Sequence, residues 1–489
     1  MHYQRRPTIL FRNFGDFGYL TDNRNFGYRQ PDVPIVGDKV LSQSGAIILD
    51  SLGKKLMTAE EIAEIAMKRF VGIEYDSLVD DIIEFFEQLV NEGFLLKKEG
   101  DVVCNPDGSL LGDNHYYNSK SSSCNIRSND ISTQAFFHQY FGDTPFPTSV
   151  HIEIAAACNE RCVHCYLPQE IKTGTMSFEM IKKIIGQCND MNILHVTLSG
   201  GEPMLHPDFI KILSLCKESD LSVNVLSNLT YLDEDTVIEM ASNPLLSVQA
   251  SLYSINESVH DAITGVDGSC KKTIQSILWL AQHHIPVQIS CPIMKQNFNY
   301  FDEVKVFGEK VGIPVSADYV IIGRCDGSTS NLQYRLQMDD IESLLMEELS
   351  NPLSYNALVE EVKSNKLRSQ DDYICGVCGS SLCVDVRGNV FPCAGWECCI
   401  LGNINESSLR DIWYHSEKAI ELRNLKWKDF VKCNSCNFID YCIPCLVRNA
   451  NENKDADPLQ VNGFFCEVAR LKKHIAEKLY DVTLHNKLN

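Results

Sequence analysis

The chain has 489 residues, with 44 basic against 65 acidic side chains and a net charge of −21. It is too long for one ordinary core, so two or three domains are expected. An acidic balance repels phosphate backbones and anionic lipid surfaces, which removes nucleic acid and membranes from the expected partners. Between Met1 and Phe11, Arg5 and Arg6 are followed by only a short apolar run, below the length of a signal-peptide core or a membrane span, so a soluble cytoplasmic protein is expected.

Residues 1–98 read as a small unit of their own. Two short strand-like runs, Thr8 to Phe11 and Gly18 to Thr21, flank a Gly-containing turn. Thr58 with Glu61 three residues later predicts a capping box, and Leu78, Ile82, Phe85, Phe86 and Leu89 predict one face of a helix that stops at Gly93. Helices followed by a short Phe94 to Lys97 strand suggest a winged-helix-like domain. The stretch 99–145 is polar, with a Lys-Ser tract at Ser119 to Ser123, and is expected to be linker.

From Ser149 the pattern alternates. Val150 to Ala156, Val196 to Leu198, Val223 to Leu226, Val248 to Leu252, Val287 to Ile293 and Val315 to Ile322 read as buried strands, with amphipathic stretches between them, clearest at Phe209, Ile212, Leu213 and Cys216. Strand and helix alternating six times predict an α/β fold with a parallel sheet, a barrel or doubly wound, over 146–335. Bridging helices are expected over 336–374, a Cys-rich domain over 375–470, and a helical tail over 471–489.

Twenty-one cysteines without an export signal point to thiols kept free for metals or catalysis. Eleven lie between Cys375 and Cys466, and three more form Cys158-Asn-Glu-Arg-Cys162-Val-His-Cys165 directly after the first barrel strand. Three thiolates on one loop can hold three irons of a four-iron cluster and leave the fourth open. Spacing alone fits a zinc site with His164 as fourth ligand nearly as well. The second barrel strand ends Ser199-Gly200-Gly201-Glu202-Pro203, where two glycines permit close backbone approach to a ligand.

With the two motifs in this order on successive strand ends, the chain resembles the radical S-adenosylmethionine superfamily. The resemblance implies a partial (β/α)6 TIM-like barrel in which Cys158, Cys162 and Cys165 ligate a [4Fe-4S] cluster that binds S-adenosylmethionine, with Gly200, Gly201, Glu202 and Pro203 beside its methionine group. It departs at His164, where the family usually has an aromatic. Asn228 and Ser251 sit where family members place further cofactor contacts, as does Asn297; for each, a satisfied strand-end polar residue is the competing reading.

Paired Cys-x-x-Cys motifs in the C-terminal segment fit a zinc ribbon as well as a cluster. In context, Cys375, Cys378, Gly388 and Cys393, then Cys433, Cys436 and Cys442, resemble the seven-cysteine signature of SPASM domains, which hold two auxiliary [4Fe-4S] clusters. The resemblance implies Cys375, Cys378, Cys393 and Cys445 for one, and Cys433, Cys436, Cys442 and Cys466 for the other. Cys375 lies closer to Cys378 than the pattern has it, and two residues rather than three separate Cys442 from Cys445. Cys383, Cys398 and Cys399 are spare; either of the adjacent pair could stand in for Cys375.

The N-terminal unit resembles the leader-recognition domains of ribosomal-peptide (RiPP) maturation enzymes. Together the three parts imply a peptide maturase that cleaves S-adenosylmethionine, abstracts a hydrogen from a precursor peptide and installs a crosslink, a Cys thioether foremost. Its partners are then the precursor peptide, with its leader on residues 1–98, and a small electron donor such as flavodoxin or ferredoxin. Ala394 follows Cys393 where sulfatase maturases carry an acid, against that branch. Asp318 on the sixth strand is the candidate proton acceptor, with a satisfied barrel carboxylate as the alternative. Carbon–carbon crosslinking, epimerisation or oxidation of a protein or small molecule is the rival function, and a non-catalytic Cys-rich metal-binding protein the more distant one.

Overall fold

The computed structural model describes residues 1–26, 36–99, 102–104, 110–111, 137, 140–142 and 144–488. The first part contains strands β1 (His2–Arg5), β2 (Ile9–Asn13), β3 (Phe17–Asp22), β4 (Lys39–Ser42) and β5 (Met57–Thr58), then β6 (Leu95–Glu99), β7 (Val102–Cys104) and β8 (Leu110–Leu111). They form two antiparallel sheets, ordered β5-β1-β6-β7-β8 and β2-β3-β4. Three helices, Gln43–Leu52, Ala59–Ala66 and Tyr75–Asn91, pack on them, and Leu78, Ile82, Phe86 and Leu89 are buried in a core shared with Tyr3 and Leu95. The Thr58–Glu61 capping box is present: Glu61 N–H donates to Thr58 Oγ1 at 3.3 Å and Thr58 N–H to Glu61 Oε2 at 2.8 Å.

This unit sits on the N-terminal ends of the barrel strands. Arg12 Nε donates to the Ile193 carbonyl and Asn23 Nδ2 to the Pro244 carbonyl. Asp220 is met by Arg5 at 2.8 Å, Lys54 at 3.1 Å and Arg12 at 3.6 Å, and both arginines are nearly fully buried. Burial pushes the Asp220 carboxyl up, but Arg5, Arg12 and Lys54 more than reverse this and hold it below the ordinary carboxylate range. Its stabilisation is therefore complete above the unfolded value near about 3.9 and lost as pH falls through the lower folded value. Asp220→Ala is expected to cost about 3–5 kcal/mol, because two buried guanidinium groups lose their counter-charge. Urea unfolding at pH 7 measures the loss, and Asp220→Asn flattens the acid limb of stability against pH.

The barrel strands are β9 (Ser149–Ala155), β10 (His195–Gly200), β11 (Ser222–Ser227), β12 (Leu246–Ser251), β13 (Val287–Pro292) and β14 (Val315–Asp318), all parallel and in sequence order. Helices between them bury their apolar stripes against the outer sheet face, with Phe209, Ile212, Leu213 and Cys216 all buried. No helix among the described residues is long and apolar enough to cross a membrane.

Four expectations are corrected. Strands β7 and β8 lie inside the stretch read as linker, and its end, Phe137 to Phe146, docks: Phe137, Phe141 and Phe146 stack together against Phe14 and Tyr19. The rest of that stretch, including the Lys-Ser tract, lies outside the described residues. The Cys-rich segment is no separate body, since β15 (Ser381–Val384) pairs in parallel with β9 and carries β16 (Asn389–Phe391) and β17 (Gly402–Asn403) into the same nine-stranded sheet. The sixth strand stops at Asp318, four residues before Ile322. The terminal helix spans Gly463–Leu488, because Phe464, Leu471, Ile475 and Leu479 pack with Ile341, Leu345 and Leu349 of the helix Met338–Ser350, so Cys466 lies on its first turn.

Candidate active site

Strand β9 places the first motif. Val150, Ile152 and Ile154 face outward into the core with Ile181, Ile184 and Ile185, so alternation puts His151 and Glu153 on the inner face. Beyond Ala155 the chain leaves the sheet and carries Cys158, Cys162 and Cys165 on one loop. This loop is tied to the helix Glu257–Thr264: Arg161 N–H donates to the Thr264 carbonyl at 2.8 Å and Val163 N–H to that of Ile263 at 3.0 Å. The thiols of Cys158 and Cys165 lie near enough for their charge to act on Cys162, whose own thiol is pushed up first by burial. Burial likewise pushes Cys158 up to about 11. Thiols so placed are poor free nucleophiles at neutral pH, and metal ligation is what deprotonates them.

The donor set fits an iron–sulfur cluster. Three thiols leave one strand end on one loop, with the charges of Cys158 and Cys165 acting on Cys162. A single zinc needs its donors about 2.3 Å from one point, whereas the thiolates of a cluster each bind a different iron. His164 is half-buried, with its ring edge-on to Tyr253 at 4.9 Å between centroids.

The Gly-Gly-Glu-Pro segment sits against this loop. Gly201 N–H donates to the Ala155 carbonyl at 2.7 Å and Glu202 N–H to that of Ala157 at 2.9 Å. A Cβ on Gly200, whose φ is +131°, would lie 2.0 Å from the Ala155 oxygen, and one on Gly201 2.4 Å from that of Ala156. The glycines are thus demanded by the neighbouring strand end, where the sequence suggested a ligand. Glu202 is also committed to protein: its buried carboxylate accepts from Ser227 Oγ at 2.7 Å, Asn228 N–H at 2.9 Å and Met204 N–H at 3.0 Å. It locks the ends of β10 and β11 together, and Pro203 begins a buried turn beside it.

Asn228 joins the same rim, its Nδ2 donating to Asn159 Oδ1 at 3.0 Å. Ser251 ends β12, pairing with Ser290 in the sheet. Asn297 is a satisfied buried residue, donating to the carbonyls of Tyr253 and Pro292 and accepting from Met294 N–H. Asp318 ends the edge strand β14, exposed, and accepts from Val320 N–H at 2.8 Å. Sequence reasoning passed over Lys172, a buried ammonium whose charge acts on Cys158, Glu160 and His164; a lone lysine in a loop carries no such signal.

The later cysteines gather in two groups. Cys375 acts on Cys378 and Cys393, and Cys445 on Cys375 and Cys393. Cys433, Cys436, Cys442 and Cys466 line one pocket, and Cys445 lines it with them. The short Cys375-to-Cys378 spacing is accommodated by a tight turn, with Cys378 at φ +52°. Cys399 lies near Cys378, Cys398 is exposed, and Cys383 on β15 is buried beside Cys393.

Two family models match these regions, the radical SAM superfamily over residues 152–307 and the SPASM iron–sulfur cluster-binding domain over 375–437. This chain carries a radical SAM domain and a SPASM domain. The radical SAM domain binds a [4Fe-4S] cluster and S-adenosylmethionine, and the SPASM domain binds auxiliary iron–sulfur clusters. Among relatives, the enzyme is similar to the antilisterial bacteriocin subtilosin biosynthesis protein AlbA of Bacillus subtilis, 26% identical over 64% of this chain and 70% of that one. It is also similar to the AdoMet-dependent heme synthase of Methanosarcina barkeri, 24% identical over 62% and 93%. Its fold resembles Streptococcus suis SuiB, solved with S-adenosylmethionine, at a TM-score of 0.58 and 18% identity over 95% of this chain and all of that one. SuiB has also been solved with its precursor peptide SuiA.

Proposed function

We propose that this radical SAM enzyme matures a ribosomally made precursor peptide, taking a hydrogen from the core peptide to install a Cys thioether. The observation that carries the reading is the unit spanning residues 1–98, docked on the barrel through Asp220 and Arg12, within a fold shared over nearly the whole chain with SuiB, a protein that binds a precursor peptide. We assign the leader to an exposed sheet edge of this unit, by strand addition. The domains follow as 1–98 for the peptide, 146–335 for the barrel and 375–470 for the auxiliary clusters.

Cys158, Cys162 and Cys165 would hold the cluster that binds S-adenosylmethionine, with Gly200, Gly201, Asn228 and Ser251 at the barrel mouth around it. A cluster held there would supply the electron for reductive cleavage of S-adenosylmethionine. The chain's own part is positional: Glu202 fixes the β10 and β11 ends, the glycines press that rim onto the cysteine loop, and buried Lys172 offers a cation for a carboxylate. Cys375, Cys378, Cys393 and Cys445 would hold one auxiliary cluster, and Cys433, Cys436, Cys442 and Cys466 the other. A flavodoxin or ferredoxin would deliver the electron.

The test uses candidate precursor peptides, each a leader joined to a Cys-containing core, with S-adenosylmethionine and dithionite. The proposal expects leader binding that is lost when residues 1–98 are saturated by a leader-only peptide, and a product lighter by two hydrogens with one thiol blocked. Deoxyadenosine without leader binding would favour small-molecule chemistry, the second reading, which the similarity to heme synthase supports.

A further inference from the structure

Between the Cys158–Cys165 loop and Cys393 lies a group of side chains that neither the ligand sets nor the cofactor rim uses. Glu153, on the inner face of β9, is 5% exposed, and its Oε1 is buried without a hydrogen-bond partner. Glu397, four residues beyond Cys393, has both carboxylate oxygens buried without one. The Cys325 thiol, a weak donor, lies within hydrogen-bonding reach of the Glu397 carboxylate. Tyr166, which follows Cys165, is half-buried where both carboxylates act on it, and Cys383 feels both as well. The two acids therefore stand together, one from the barrel and one from the SPASM loop, between the first cysteine motif and the first auxiliary quartet. Native interiors seldom leave buried carboxylate oxygens unmatched, and here Glu153 Oε1 has no partner while a weak thiol donor is the side chain nearest to pairing with Glu397.

We propose that Glu153 and Glu397 form the substrate-facing acid pair that accepts a proton from the peptide during crosslinking. This rests on the peptide-maturation reading above. In the step, a substrate S–H bond breaks heterolytically, the electron pair stays on sulfur, and an O–H bond forms on the carboxylate. No oxidant or reductant is consumed. An ordinary carboxylate is a weak base toward a thiol near about 8.5, and the pair is better matched. Burial first, then Glu397 and Asp385, push the Glu153 carboxyl up to about 8, with Arg387 acting the other way, and burial also raises Glu397. Asp385 and Arg387 are tied to each other, and Glu397 is the foremost charge acting on Glu153.

The experiment uses the full chain with reconstituted clusters. In Glu397→Gln, iron content stays at the wild-type level while crosslinked peptide formed per deoxyadenosine falls about 100-fold, and Glu397→Asp restores part of it. Isotope-edited infrared spectroscopy, with no peptide present, shows a buried carboxylic acid whose deprotonation midpoint drops in Glu397→Gln. Should Glu397→Gln lose its iron, Glu153→Gln carries the same comparison. A crosslink yield unchanged in both variants, a midpoint that does not move, or the loss appearing in Asp318→Asn alone would overturn the proposal. If the wild-type enzyme crosslinks no peptide, the maturation reading fails, and the infrared titration still decides whether the acids act as a pair.

Discussion

Cys158→Ala is expected to abolish deoxyadenosine formation, by at least about 1000-fold, while the protein still folds and keeps its C-terminal clusters. The cysteine leaves β9 on a loop fastened to the helix Glu257–Thr264 by backbone hydrogen bonds that do not involve its side chain. Removing the thiol therefore deletes a ligand without cutting the scaffold. Iron should fall from about twelve to about eight atoms per chain, one four-iron cluster of three. Loss of all iron would mean that the three sites assemble as one unit. Undiminished deoxyadenosine would mean that the loop does not hold the reactive cluster.

Gly200→Ala is the second large effect, and it acts through sterics. At φ +131° an added Cβ is strained by the backbone alone, and it would overlap the Ala155 oxygen, 2.0 Å away in a part of the sheet that cannot retreat. A cost of about 3–5 kcal/mol is expected, together with displacement of the cysteine loop that begins three residues beyond Ala155. Thermal unfolding should shift down by on the order of 10 °C, and S-adenosylmethionine cleavage should fail in whatever protein folds. Gly186→Ala is the control: it lies in the helix Phe178–Asp190 with open space around it, where alanine is favoured by up to about 1 kcal/mol.

Much of the barrel was legible because its information is local. Apolar strands alternate with amphipathic helices, and the cysteine loop and Gly-Gly pair each fall within a few residues of a strand end. What was missed depends on contacts made far along the chain. Strand β1 reads as polar because Arg5 is buried only by virtue of Asp220. The close approach of Gly200 and Gly201 to the Ala155 and Ala156 carbonyls was not legible because that backbone lies some 45 residues earlier. The fusion of the SPASM segment to β9 rests on a parallel pairing that no crossover pattern announces. Glu153 looks like the polar member of an alternating strand, and Glu397 like a loop acid; only the fold brings them together. The division of the later cysteines into two ligand sets came only through resemblance; in the fold Cys445 adjoins both groups, acting on Cys375 and Cys393 and lining the pocket of Cys433, Cys436, Cys442 and Cys466.

The most direct measurement is iron and acid-labile sulfide per chain after anaerobic reconstitution, with deoxyadenosine assayed after dithionite and S-adenosylmethionine are added. About twelve irons with equal sulfide, and deoxyadenosine formed by the wild type but not by Cys158→Ala, are the predicted results. Zinc without sulfide, or no cleavage of S-adenosylmethionine under reduction, would contradict the account.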